Sequence, residues 1–243
     1  MLSGGCGERP HRFQARIYRL RKVVRLALRG CVGVSARAVA KDRMPLVAQP
    51  LSKFNLSQSA ILLLEHSKAE QDLYCQMLFG FGGKNVHRCH TRAEAQVALT
   101  AHQIDLLIVD AQLGPDDEDG YAFVRELRRS AADFAFLPVI MVTGHTPGSQ
   151  VTFARDSGVH FVVRKPVSPS VLLERVLWIA QEGRSIIECD SYVGPDRRFQ
   201  RLGPPDGIGR RHDDVSVEMG EAEGPDLAQD EIDQMMQPRR AQR

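Results

Sequence analysis

The chain lacks an apolar stretch long enough to span a membrane, and arginines interrupt what would be the hydrophobic core of a leader segment near its start. It also lacks paired cysteines. The five present (Cys6, Cys31, Cys75, Cys89, Cys189) form no CxxC and no Cys/His pair at zinc spacing, which argues against both a zinc module and a disulfide framework. His87, Cys89 and His90 cluster only loosely, as polar neighbours at the end of a strand. No helix-turn-helix pattern of adequate length follows Gln181, and that part of the chain is net acidic, which opposes phosphate contacts and weakens any assignment as a transcription factor.

The formal net charge of +2 describes neither end of the 243 residues. Through Pro50 there are eleven Lys and Arg against two acids, and from Ser185 onward eight Arg against thirteen acids. In the first fifty residues Phe13, Ile17, Leu20, Val24 and Leu28 share one helical face among arginines. Such a basic amphipathic pattern suits a membrane surface, an anionic partner or a transit segment. Disorder, or a true start at Met44, competes with those assignments. The last sixty residues are poor in aliphatics and rich in Gly, Pro and charge, a composition that predicts disorder. Within them YVGPDRR (192–198) is echoed by GPPDGIGRR (203–211), turn modules presenting paired guanidinium groups. Docking to an acidic or phosphorylated partner and a solvated linker remain equal alternatives. Residues 226–237 place Leu227, Ala228, Ile232, Met235 and Met236 within reach of one face. That pattern is a short helix that folds on a partner, or chance.

Between these ends, apolar strand-like runs alternate with amphipathic segments, the pattern of a parallel sheet covered by helices. Strands are predicted at 61–64, 85–88, 104–109, 139–142 and 161–164. Helices are predicted at 68–79, with Leu73 and Met77 on one face, behind Thr91 with Ala95, Val97, Ala98 and Leu99, at 120–129 with Phe123 and Leu127 inward, at 150–157, and at 171–181 behind Ser168 or Ser170. Thr91 followed by Glu94 is a capping-box signature. The expected organisation is a basic extension over 1–57, an α/β domain over 58–182 and a low-complexity tail over 183–243. The domain is a doubly wound, three-layer fold with a five-stranded parallel sheet, flanked by disordered extensions.

Four of the strands deliver a polar group at the carboxyl end: Glu65 after ILLL, Asp110 after IDLLIV, Thr143 after VIMV, and Lys165 after FVVR. Ligands of such sheets bind outside the carboxyl ends of the strands. Carboxylates suit a hard divalent cation, whereas a hydroxyl and an ammonium suit phosphoryl oxygens. Aspartate is itself a phosphoryl acceptor. Asp110 is therefore the candidate nucleophile, with Thr143 and Lys165 on the phosphoryl oxygens. The bland alternatives are Asp110 as a turn cap, Thr143-Gly144 as a turn and Lys165 as a surface lysine.

The pieces ILLLEHS, DLLIVDAQLG, VIMVTGHT and GVHFVVRKP, in this order and spacing, resemble the receiver domain of bacterial two-component response regulators over about 58–181. That resemblance implies a flavodoxin-like fold and Asp110 as phosphoacceptor. It implies Mg²⁺ or another divalent ion held by Glu65, Asp110 and the backbone carbonyl of Gln112. Thr143 becomes the switch hydroxyl, and Lys165 the family's lysine ahead of a cis Pro166. A histidine kinase or histidine phosphotransfer protein is the implied donor, acting on a cytoplasmic signalling protein that is not an enzyme in the usual sense. Two positions depart from the pattern. His66 stands where a second acid usually binds the metal, and Val162 stands where an aromatic is usual, with Phe161 beside it pointing to the opposite face. The loop after Asp110 carries Asp116, Asp117, Glu118 and Asp119, which either compensate for the missing acid or are solvated. Two functions follow: a phosphorylation-controlled regulator acting through protein contacts, or a phosphate-independent pseudo-receiver scaffold.

Overall fold

The computed structural model describes residues 7–8, 56–114, 119–182, 184, 186–188, 192–197 and 224–237. Five strands form one parallel sheet: β1 (Ala60–Leu64), β2 (Asn85–Cys89), β3 (Leu106–Asp110), β4 (Val139–Thr143) and β5 (Phe161–Arg164). Their spatial order is β2-β1-β3-β4-β5, the doubly wound order with a reversal between β1 and β3. Helices α1 (Lys68–Gly80), α2 (Arg92–Ala101), α3 (Gly120–Arg129), α4 (Gly148–Asp156) and α5 (Pro169–Glu182) connect the strands and follow the last.

β1, β3 and β4 are buried along their whole length because helices cover both faces of the sheet. Alternate residues divide between two cores. Leu62, Leu64, Leu107, Val109 and Met141 pack under α2, α3 and α4, while Ile61, Leu63, Ile108, Ile140 and Val142 pack under α1 and α5. Local signals set the helix starts. Ser67 accepts from the amide of Glu70, Thr91 from that of Glu94, Asp119 from that of Ala122, and Ser168 (not Ser170) from that of Val171. The capping box at Thr91 is only half formed, since Glu94 accepts from the amide of His90. Phe123 and Leu127 face inward as the periodicity predicts. The buried face of α1 is instead Gln71, Tyr74, Cys75 and Leu78, leaving Leu73 46 % exposed. The predicted stripe was off by one residue, about 100° around the helix.

Of the C-terminal extension, the described residues form elements packed on the domain. β6 (Ile186–Glu188) and β7 (Val193–Pro195) pair antiparallel, and the two-residue strand Gly7–Glu8 adds to β6. Ile186 packs with Ala135 and Phe136 of the 3-10 turn Asp133–Phe136, and Val193 lies against this small cluster. Helix α6 (Gln229–Met236) lies against α4 and β5 and buries Ile232 and Met236 in the domain core. It is the predicted 226–237 element, docked on its own chain. The repeat at 203–211, the first fifty residues apart from Gly7–Glu8, and the acids Asp116, Asp117 and Glu118 lie outside the described residues. No helix among the described residues is long and apolar enough to cross a membrane.

Candidate functional site

β3 ends at Asp110, which is 4 % exposed and whose Oδ1 accepts from the amide of Gln112 at 3.2 Å. The chain then turns tightly enough that Gly120 N bonds Ala111 O at 2.8 Å. A methyl at Gly120 would overlap the carbonyl oxygen of Asp110, so only glycine lets α3 start this close to the acid. β1 delivers Glu65, 1 % exposed, and β5 delivers Lys165 ahead of a cis bond to Pro166. Lys165 Nζ donates to Asp110 Oδ2 at 2.9 Å, to Glu65 Oε2 at 3.2 Å and to Glu70 Oε2. Three of the residues singled out from the sequence therefore meet at one ammonium.

The electrostatics favour a bound cation. Burial pushes the Glu65 carboxyl up to about 7, and the Asp110 carboxylate pushes it the same way, against the Ser67 amide and the Lys165 charge. Burial alone would lower Lys165, but hydrogen bonds to Glu70 and Asp110 and the charges of Asp110 and Glu65 hold it above its ordinary value. Burial acts to raise Glu70, and its pairing with Lys165 outweighs this, leaving it below the usual carboxylate range. One ammonium thus faces three carboxylates, a net negative pocket.

His66 takes up the remaining side. Its Nδ1 lies 3.4 Å from Glu65 and 3.7 Å from Asp110, and the imidazole is 44 % exposed. Ligand atoms of Glu65, His66 and Asp110 lie within 4.8 Å of one another, a separation one divalent ion can bridge. Two carboxylates and an imidazole fit a divalent ion, with the imidazole shifting preference from Mg²⁺ toward softer metals. Gln112 is exposed beside the cluster with its amide already on Asp110. Asp119, the one described acid of the following loop, is engaged in capping α3.

Thr143 closes β4, 3 % exposed, and does not point idly at solvent. Its Oγ1 accepts from His145 N at 3.1 Å and donates to His145 O at 3.0 Å, which folds the β4–α4 turn around it. Lys165 N also bonds Thr143 O at 2.8 Å, which ties the ends of β4 and β5 to each other. Val162 is buried in the α4 core, while Phe161 lies on the opposite face, edge-on to Trp178 at 4.9 Å. The aromatic on the Thr143 side comes from elsewhere: Tyr121 on α3, whose hydroxyl donates to Gln150 Oε1 at 3.2 Å.

The sequence pattern did not single out Glu70, Tyr121 or Thr146. Glu70 sits three residues after the Ser67 cap, the capping-box position. Glu65 Oε1 already takes the Ser67 amide at 2.9 Å, which frees Glu70 for Lys165. That displacement was invisible without the site.

The family model for the response regulator receiver domain matches residues 61–177. The Staphylococcus aureus response regulator SaeR (strain USA300) is 30 % identical over 109 residues, covering 44 % of this chain and 45 % of that one. The chain thus spans about half the length of the curated relatives it matches. Among solved structures, the receiver domain of a signal transduction histidine kinase from Syntrophus aciditrophicus shares 25 % identity with a TM-score of 0.46, covering 51 % of this chain and 92 % of that one. A CheY-like receiver domain protein from Methanospirillum hungatei JF-1 shares 25 % identity with a TM-score of 0.44, covering 51 % and 94 %. Residues 61–177 are a response regulator receiver domain of the two-component type.

Proposed function

We propose that this chain is a phosphorylation-controlled response regulator that accepts a phosphoryl group on Asp110 and acts through protein contacts. The observation that carries this is the convergence of Glu65, His66, Asp110 and Lys165 at the carboxyl ends of three strands, with Lys165 2.9 Å from the acceptor. A carboxylate oxygen of Asp110 attacks the phosphorus of a phosphohistidine donor. The P–N bond breaks, its electron pair goes to the imidazole nitrogen, and a proton from solvent neutralises that leaving group. Lys165 is placed to neutralise charge on the transferred oxygens, and Thr143, freed from His145, to donate to one of them. A divalent ion held by Glu65, Asp110, His66 and the Gln112 carbonyl would offset the remaining negative charge. We take 58–182 as the bounds of the domain that does this, and histidine kinases or phosphotransfer proteins in the cytoplasm are the donors such a site fits.

His66 at the metal position and Val162 at the aromatic position support a second reading, a scaffold that works without phosphate. Intact mass after incubation with a small phosphodonor separates the two. A gain of one phosphoryl group that requires divalent metal and is absent from Asp110→Asn supports transfer. No gain with any divalent metal supports the scaffold.

A further inference from the structure

Glu70 reaches the candidate site by leaving the partner that its place on α1 would give it. Ser67 caps that helix, and an acid three residues on ordinarily accepts from the cap residue's own amide. Here Glu65 Oε1 takes the Ser67 amide at 2.9 Å. Only the other half of the box survives, with Ser67 Oγ accepting from Glu70 N at 3.5 Å. The Glu70 carboxylate crosses instead to the end of β5 and accepts from Lys165 Nζ. Tyr74, one turn along α1, braces it there. Its hydroxyl donates to Glu70 Oε2 at 3.4 Å, and its ring is buried in the core under α1 and α5.

The consequence is a matter of counting hydrogens. An ammonium has three, and it accepts none. Those of Lys165 meet Asp110 Oδ2 at 2.9 Å, Glu65 Oε2 at 3.2 Å and Glu70 Oε2, so a phosphoryl oxygen gains one only when a carboxylate lets go. The three acceptors are not equivalent. Phosphoryl transfer makes one Asp110 oxygen an ester oxygen and carries its charge onto the new group. Glu65 is 1 % exposed and is fixed through its other oxygen to the Ser67 amide. Glu70 is 40 % exposed, touches Lys165 from the open side of the pocket, and keeps its charge throughout. It is the acceptor with water to turn to, and the contact that must open.

We propose that Glu70 is a positioning residue that acts through Lys165: it holds the ammonium in the resting site and contends with the phosphoryl group for it, and so restrains acceptance at Asp110. This rests on the phosphoacceptor reading above. A partly exposed carboxylate–ammonium pair shifts an equilibrium by about two- to fivefold. Two substitutions separate contact from field. Glu70→Gln keeps the length of the side chain and leaves a neutral, weaker acceptor. Glu70→Asp keeps the charge but falls one methylene short of the ammonium. Both release a hydrogen of Lys165.

The test uses the full chain with beryllofluoride and Mg²⁺ as the phosphoryl mimic, its binding followed by ¹⁹F resonance, with Asp110→Asn as the blank. Glu70→Gln and Glu70→Asp should each bind the mimic about two- to fivefold more tightly than the wild type. Asp72→Asn removes an acid of the same helix that pairs with Arg88 instead of Lys165, and should leave the affinity unchanged. In metal-free protein the Lys165 ammonium resonance should exchange its hydrogens severalfold faster in both Glu70 variants while the α1 amides keep their protection, a signature that a merely structural role would not give. Unchanged or weaker binding of the mimic in either Glu70 variant, or unchanged ammonium exchange, overturns the proposal and leaves the phosphoacceptor reading standing. Equal tightening in Asp72→Asn overturns it as well, because net charge would then account for the effect. No beryllofluoride binding by the wild type or either Glu70 variant overturns the phosphoacceptor reading and the role of Glu70 with it.

Discussion

Replacing His66 with Asp adds a carboxylate beside Glu65 and Asp110, the two that already crowd the candidate metal position. The imidazole nitrogen lies 3.4 Å from Glu65 and 3.7 Å from Asp110, so a carboxylate there would stand within reach of any ion the two share. A pair of unit charges about 4 Å apart interacts by about 1 kcal/mol in water and about 4 kcal/mol at a protein surface. A dication doubles the attraction, while 44 % exposure of the side chain and repulsion from the two existing acids reduce it. The net gain in Mg²⁺ binding should be about 1–2 kcal/mol, about five- to thirtyfold in affinity. Mn²⁺ should gain less, because imidazole already serves it well. The metal-free variant should lose about 1 kcal/mol of stability from the added repulsion. Titration calorimetry of the full chain with each metal measures the first two quantities, and urea denaturation without metal the third. A folded His66→Asp protein with unchanged or weaker Mg²⁺ affinity would refute the placement of the ion among these three residues.

Three further outcomes follow from other groups. Because Glu65 is held near 7 in the folded chain against 4.5 in the unfolded one, the native state binds the extra proton; its contribution is complete below 4.5 and lost as pH rises through about 7. Metal-free protein should therefore lose about 1–3 kcal/mol between pH 4.5 and 7.5, a slope that Glu65→Gln removes and saturating Mg²⁺ flattens. Gly120→Ala forces a methyl onto the Asp110 carbonyl and should cost about 2–3 kcal/mol in thermal unfolding, with slower phosphorylation. Arg128, fully buried, donates to Gly158 O twice and to Ala135 O and Leu137 O once each. Arg128→Met orphans these three carbonyls and should cost about 3–5 kcal/mol by chemical denaturation; a loss below 1 kcal/mol would contradict its role as a buried brace.

What the sequence made legible follows from which forces are local. Apolar runs ending in Glu65, Asp110, Thr143 and Lys165 declared themselves because a strand buried on both faces must be apolar until its end. The cap at Thr91 was equally readable, being a bond between near neighbours, whereas Ser168 and Ser170 stood as alternatives for the last helix until the structure chose Ser168. The α1 stripe failed for a physical reason: Gln71 is buried where a polar residue suggests exposure, since its amide serves the carbonyls of Glu65 and Cys89 at the sheet end. Such a long-range bond has no signature in the residue order. The docking of 226–236 was hard to read for a related reason. Composition counts aliphatics, and 226–236 has few, yet Ile232 and Met236 suffice when Thr146, Arg164 and Arg175 supply the polar half of the contact from elsewhere in the chain.

From Tyr192 to Arg197 the first Gly-Pro-Asp-Arg-Arg module is closed on its own domain. Tyr192 bonds Pro195 O at 3.0 Å, and Arg197 stacks over the Tyr192 ring at 4.0 Å while reaching Asp156 at 2.5 Å and Arg155 O at 2.6 Å. Its Val193 carbonyl lies 2.6 Å from where a side chain at Gly158 would begin, and Gly158 adopts a φ of +93°. The module and the α4–β5 corner are thus two halves of one clasp, and neither makes sense alone. Grafting the motif onto another receiver should staple nothing unless a glycine and an aspartate are supplied at the positions of Gly158 and Asp156.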